Sequence, residues 1–145
     1  MLVSACLLGL QTRYDGRSKR NQKVIDFLQK HQLIAIPVCP EQLAGMPTPR
    51  EATQFETGQG EDVLHGRGTV VSRSGQSMND VFCRGAEEVL NIARLTGCRT
   101  ALFKERSPSC GVHQIYRQGF RVSGMGVTAA RLAEDGMIVL SEEDL

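Results

Sequence analysis

Hydrophobic and polar positions change period several times along the chain, and each change marks an element. Residues 2–5 form an apolar run cut off by the loop-forming Gly9, the pattern of a short buried strand. After a polar stretch, Val24, Ile25, Phe27 and Leu28 recur at the spacings of one helical face while Gln, Lys and Asp fill the other, which predicts a helix over 21–31. The β-branched, apolar segment 33–38 predicts a second strand. Strand, helix and strand in that order make a βαβ unit, which favours a parallel sheet with a right-handed crossover.

From Cys39 to Gln76 the rhythm breaks, with Pro40, Pro47, Pro49 and six glycines between residues 45 and 75. The expectation is an irregular, functional loop carrying one short strand at 68–72, paired with 62–65. Ser77 or Asn79 can cap a second helix, whose apolar stripe is Val81, Phe82, Ala86, Val89, Leu90 and Ala93 and whose end is Gly97. Strands at 100–103 and 137–140 flank a short helix at 127–134 closed by Gly136. The expected fold class is α/β: one three-layer domain over residues 1–145, with a small, mostly parallel sheet flanked by helices.

Charge and composition narrow the function. Seventeen Lys and Arg residues against sixteen Asp and Glu leave a net charge of +1, so an extended nucleic acid partner is not expected. The apolar start lacks a basic leader, meets polar Gln11 at once, and is too short to span a bilayer. A membrane partner is therefore not expected, and a reducing cytoplasm is. A chain of this size builds a core without staples, so its five cysteines read as ligands, nucleophiles or small buried side chains rather than disulfides.

The cysteines divide by position. Cys6, Cys39 and Cys110 each follow a predicted strand, on the edge where open parallel sheets bind ligands. Cys83 and Cys98 lie in or just after the second helix and read as packing. Cys39 is followed by Pro40 and Glu41, which puts a carboxylate two residues from a thiol; around Cys110 stand Ser107, Pro108, Ser109 and Gly111. Structural zinc wants four ligands and paired knuckles, which are absent, and His31, His65 and His113 lack ligand spacing, with only His113 near a cysteine. An iron–sulfur cluster held by three thiols, with one iron open, is a further option. Spacing alone leaves that cluster and five ordinary buried cysteines as equal readings.

Three motifs, in order, alter that balance: Val3-Ser-Ala-Cys-Leu-Leu-Gly9 with Arg13-Tyr-Asp-Gly16, Cys39-Pro-Glu41 with Pro47-Thr-Pro-Arg50, and Lys104-Glu-Arg-Ser-Pro-Ser-Cys-Gly111. Together they resemble the thiouracil desulfidase family, domain-of-unknown-function family 523, over nearly the whole chain. The resemblance implies a [4Fe–4S] cluster on Cys6, Cys39 and Cys110 with one open iron. It also implies non-redox removal of sulfur from a small thiolated base such as 2-thiouracil, giving uracil and hydrosulfide. Glu41 would then serve as general base, and Ser107 would position the water or bind the leaving sulfur, with Ser109 its competitor. Tyr14, Asp15 and Arg50 are candidate substrate contacts. Other roles stay open for these residues: Glu41 as a turn cap, Ser107 as a hydroxyl bonded to its own backbone, and Tyr14, Asp15 and Arg50 as a hydrogen-bonded turn and a surface ion pair. One place departs from the family pattern, since Thr12 stands where a further cysteine precedes Arg-Tyr-Asp-Gly; three ligands suffice for an open iron. A cluster protein that binds or carries sulfur, or senses oxygen, without catalysis is the alternative.

Overall fold

The computed structural model describes residues 1–145. In chain order it contains β1 (Leu2–Ser4), α1 (Gln22–Lys30), β2 (Ile36–Val38), α2 (Pro40–Leu43), β3 (Thr53–Thr57), α3 (Gly60–Leu64), β4 (Thr69–Ser72), α4 (Asn79–Thr96), β5 (Thr100–Phe103), β6 (Gln114–Arg117), β7 (Phe120–Ser123), α5 (Val127–Glu134) and β8 (Ile138–Ser141). Four strands make an all-parallel sheet in the order β2-β1-β5-β8. The other four make a second, mixed sheet in the order β4-β3-β6-β7. No helix is long and apolar enough to cross a membrane.

Side-chain alternation explains the layering of the parallel sheet. Successive strand residues point to opposite faces. Leu2, Ala101 and Phe103 enter a core with α4 and α5, whereas Val3 and Leu102 enter another with Val24 and Leu28 of α1. Both faces are covered, so these strands carry apolar residues throughout, as the sequence pattern requires. A third core joins the mixed sheet, through Phe55, Val70 and Ile115, to Val63 of α3, Phe82 and Ala86 of α4 and Val127 of α5. The α/β class and the helix-flanked parallel sheet are as expected; the mixed sheet is an addition.

Helix ends follow local chemistry. Asn21 caps α1 by accepting the Lys23 N–H at 3.0 Å. Gly97 stops α4 in the left-handed region at φ 67°, while the Cys98 N–H bonds back to Ala93. Three expectations need correction. The strand at 33–38 shrinks to β2, because Gln32 turns at φ 52° and Leu33 and Ile34 stay in solvent. Residues 62–65 do not pair with β4: they lie in or just after α3, whose entry is fixed by the Asp62 carboxylate accepting the Gln59 N–H, and β4 pairs with β3 instead. Neither Ser77 nor Asn79 caps α4. Met78 holds that position, and the Asn79 side chain joins β4 by accepting the Val70 N–H and donating to the Gly68 carbonyl.

Gly85 positions α2, the short helix that carries Glu41. A Cβ there would lie 2.3 Å from the Pro40 carbonyl oxygen. Gly85→Ala would gain about 1 kcal/mol of helix propensity but must push α2 off α4, an overpacking cost of about 1–3 kcal/mol. The expected result is a lower melting temperature. A rise in melting temperature would show that α2 yields freely.

Candidate active site

The parallel sheet delivers three cysteines to one place. β1 ends at Ser4, and Cys6 sits in the 3₁₀ turn Ala5–Leu8 that follows. β2 ends at Val38, and Cys39 is the N-cap of α2. β5 ends at Phe103, and Cys110 lies in the loop beyond it. Because β2, β1 and β5 are adjacent and parallel, all three thiols reach the carboxyl-end edge of the sheet. They line a cavity of about 870 Å³ to which the mixed sheet also contributes, through Gln54, Val71, Ser72 and Tyr116. Cys83 and Cys98 lie elsewhere, half-buried against the cores.

The same cavity is lined by Glu41, Arg50, Ser107, Ser109 and Tyr14. Asp15 stands outside it, accepting the Arg17 N–H at 3.0 Å and facing Arg13 at 3.7 Å. Tyr14 is exposed at the mouth beneath the Arg13 guanidinium, 5.7 Å from its ring centre. Sequence reasoning passed over Lys19, Arg73 and Tyr116 on the walls. Tyr116 was hidden with its strand, and the two cations carry no motif.

The polar groups form two connected sets. In the first, Glu41 accepts the Ser109 hydroxyl at 3.0 Å on Oε1 and the Arg50 Nε–H at 2.5 Å on Oε2. Arg50 is almost wholly buried. Its remaining nitrogens reach the Pro47 carbonyl, the Thr48 hydroxyl, the Thr12 carbonyl and, at 3.9 Å, the Cys39 sulfur. A guanidinium has five N–H groups, and here five acceptors of the chain itself surround them.

The second set builds the Cys110 loop. The Ser107 hydroxyl oxygen accepts the N–H groups of Ser109 and Cys110 at 3.2 and 3.1 Å, which leaves its own hydrogen free to donate. Buried Glu105, unnoticed within its motif, points its carboxylate at the backbone N–H groups of Arg106, Val112, His113 and Gln114. From outside, the N–H groups of Gly126, Val127 and Thr128 bond to the carbonyls of Gly111, Pro108 and Ser109. Gly126 is required there, since a Cβ would fall 2.5 Å from the Ser109 carbonyl carbon. His113 does not face the thiols; it pairs with Asp144 at 2.9 Å on the surface, and that hydrogen bond raises its pKa.

Burial sets the state of the thiols. It raises the Cys6 pKa to about 11, against the opposing pull of Lys104 and Arg13. Burial likewise drives Cys110 well above an ordinary thiol, with the Ser4 hydroxyl opposing and the other two thiols and Glu41 adding to the rise. Such thiols stay protonated until a cation compensates their charge, and metal binding releases the protons. The donor set is all sulfur, with no histidine on the cavity wall, and soft thiolates suit iron–sulfur clusters. No three His, Cys, Asp or Glu side chains converge closely enough to hold one metal ion. A polynuclear cluster, by contrast, meets each thiolate at a different iron, so the set fits a cluster better than a single ion.

Comparison with known proteins agrees with this chemistry. A Bacillus subtilis (strain 168) protein, the uncharacterized YbbK, is 38% identical over 148 residues, covering all of this chain and 97% of YbbK. The solved structure of the [4Fe–4S]-dependent thiouracil desulfidase TudS (DUF523Vcz) superposes with a TM-score of 0.84 at 41% identity, covering all of this chain and 91% of the other. The family model described as 2-thiouracil desulfurase matches residues 1–144. With that match along its length, and with its three strand-end cysteines around one cavity, the chain belongs to the 2-thiouracil desulfurase family.

Proposed function

We propose that this chain, as a single unit of residues 1–145, removes sulfur from a small thiolated pyrimidine such as 2-thiouracil without redox change: the C=S group and one water become C=O and hydrogen sulfide, released as hydrosulfide and a proton. The observation that carries the reading is the meeting of three strand-end thiols with the Glu41–Ser109 pair in one cavity. Cys6, Cys39 and Cys110 would hold a [4Fe–4S] cluster, which when bound supplies a soft Lewis acid for sulfur.

The chain's own residues do the rest. Glu41 takes a proton from the attacking water. Its Oε2 is tied to Arg50 and its Oε1 holds one hydrogen bond from Ser109, so a further lone pair on Oε1 is free to face the cavity. Ser109 orients that carboxylate by donating its hydroxyl hydrogen to Oε1. Ser107 is an obligate donor toward the cavity, because its oxygen already accepts two N–H groups; it suits the departing sulfur. Arg50 holds Glu41 rather than substrate. Tyr14 and Tyr116 both line the cavity and supply aromatic surface for a heteroaromatic ring.

Anaerobic reconstitution with iron and sulfide tests the reading. The expected protein is brown, binds iron and sulfide in equal amounts, and converts 2-thiouracil to uracil with loss of the thione absorbance. A cluster-loaded protein that leaves every thiolated pyrimidine intact would instead be a sulfur carrier or an oxygen sensor.

A further inference from the structure

Glu105 is 2% exposed, and no Lys, Arg or His pairs with it. Its neighbours spend their charges elsewhere: the Lys104 ammonium meets Glu142 at 2.7 Å, and the Arg106 guanidinium meets Glu143 at 2.5 Å. Apart from the Ser141 hydroxyl, what faces the Glu105 carboxylate is backbone. Oε1 lies 3.2, 3.1, 3.0 and 2.8 Å from the nitrogens of Arg106, Val112, His113 and Gln114. Burial alone would raise its pKa, but the N–H groups of Gln114, His113 and Arg106 and the Ser141 hydroxyl outweigh burial and hold it below the usual carboxylate range.

We propose that Glu105 is a positioning residue, an internal anion that folds residues 106–114 around its own carboxylate and so fixes the Cys110 thiol and the Ser107 and Ser109 hydroxyls before any cluster binds. The loop has nothing else to hold those four N–H groups. Its Pro108, Ser109 and Gly111 carbonyls turn outward to the start of α5, its Ser107 carbonyl holds only the Gly111 N–H, and the Ser107 hydroxyl serves only Ser109 and Cys110. Buried N–H groups demand partners, and a carboxylate is the one side chain that gathers several from different directions without a proton of its own in the way. The left-handed backbone at Arg106, φ 63°, is a sparsely populated conformation for an arginine; it turns the chain back so that residues 106 and 112–114 reach the same oxygen. A neutral amide can set its carbonyl oxygen where Oε1 stands, but it brings no charge to the four N–H groups there and puts an NH2 where Oε2 accepts the His113 N–H at 3.3 Å.

The consequence for the cluster rests on the desulfidase reading, but the shaping of the loop does not, and the experiment separates them. In the iron-free chain, Glu105→Gln is expected to speed amide exchange at Arg106, Val112, His113 and Gln114 by about tenfold or more, by allowing local opening. Upon reconstitution it should bind at most half the iron of the parent. Glu105→Asp, which keeps the charge on a shorter stem, should rescue part of both losses. Val63→Ala, in the core under the mixed sheet, serves as a control brought to the same fall in melting temperature, and it should change neither readout. Unchanged loop exchange in Glu105→Gln overturns the proposal, as does an equal loss in Val63→Ala. Should Glu105→Gln fail to fold, Glu105→Asp is read alone, and parental exchange at Val112 to Gln114 in that chain overturns the proposal. If the parent binds iron but no thiolated base is desulfurised, the function fails while the exchange result still decides the role of Glu105.

Discussion

A Cys110→Ala chain is expected to fold, to leave anaerobic reconstitution colourless with about one tenth or less of the parental iron, and to turn over no 2-thiouracil. Folding should survive because the substitution deletes one sulfur from a loop whose shape is held by others. The Cys110 N–H still meets the Ser107 hydroxyl, Glu105 still gathers the N–H groups that follow, and α5 still binds the loop carbonyls. The substitution gives up the contact of the sulfur with Ser4 and its packing in the core beside α4 and α5. The cost is a small buried void, about 1 kcal/mol, read as a modest fall in melting temperature. Cluster binding has no such reserve, since Cys6 and Cys39 are the only other thiols on the cavity wall. Cys83→Ala and Cys98→Ala, outside the cavity, should keep full iron and colour. Iron analysis with visible absorbance checks all three, and a Cys110→Ala protein that is brown and active would remove the cluster from that loop.

How far the sequence could be read depended on how many faces an element buries. β1 and β5 are covered on both sides, so their apolar runs are continuous, and α1 and α5 each turn one apolar stripe to a sheet. Those patterns survive in one dimension, and the three strand-end cysteines follow from them. The mixed sheet left a weaker trace. β7 is an edge strand whose residues are mostly exposed, and in β6 only Ile115 is fully buried. The two-residue turn between them, Gln118 and Gly119 with φ 49° and 80°, is the surest hairpin signal in the segment, yet alternation among polar residues did not announce the strands it joins. β3 itself was read as part of the irregular loop 39–76, so β4 was left without its true partner and matched to what is a helix. α2 was too short for any period to show. The candidate cysteines were legible because cysteines are rare and chemically narrow. Glu105 was not, because a glutamate between a lysine and an arginine reads as a solvated charge until the fold buries it.

Glu41→Gln should separate binding from chemistry. Gln keeps the shape of Glu41, with its carbonyl oxygen accepting the Arg50 Nε–H and its NH2 donating to the Ser109 hydroxyl oxygen, but it takes up no proton from water, so kcat should fall by about 10²–10⁴-fold, the range for removal of a general base, with iron content unchanged. Arg50→Lys should give a different signature. Lysine brings the charge but three donors in place of five. It cannot serve Glu41, Thr12, Pro47 and Thr48 together, and each acceptor left unpaired in the interior costs about 1–3 kcal/mol. Glu41 loses its fixed orientation, so kcat should fall while KM for 2-thiouracil stays near the parental value, because no Arg50 N–H remains free for substrate. An arginine that bound substrate would behave the other way, with KM rising and kcat held. Steady-state kinetics on iron-matched samples of the parent and both variants distinguishes the two, and a KM effect alone in Arg50→Lys would return Arg50 to the substrate and leave Glu41 held by Ser109.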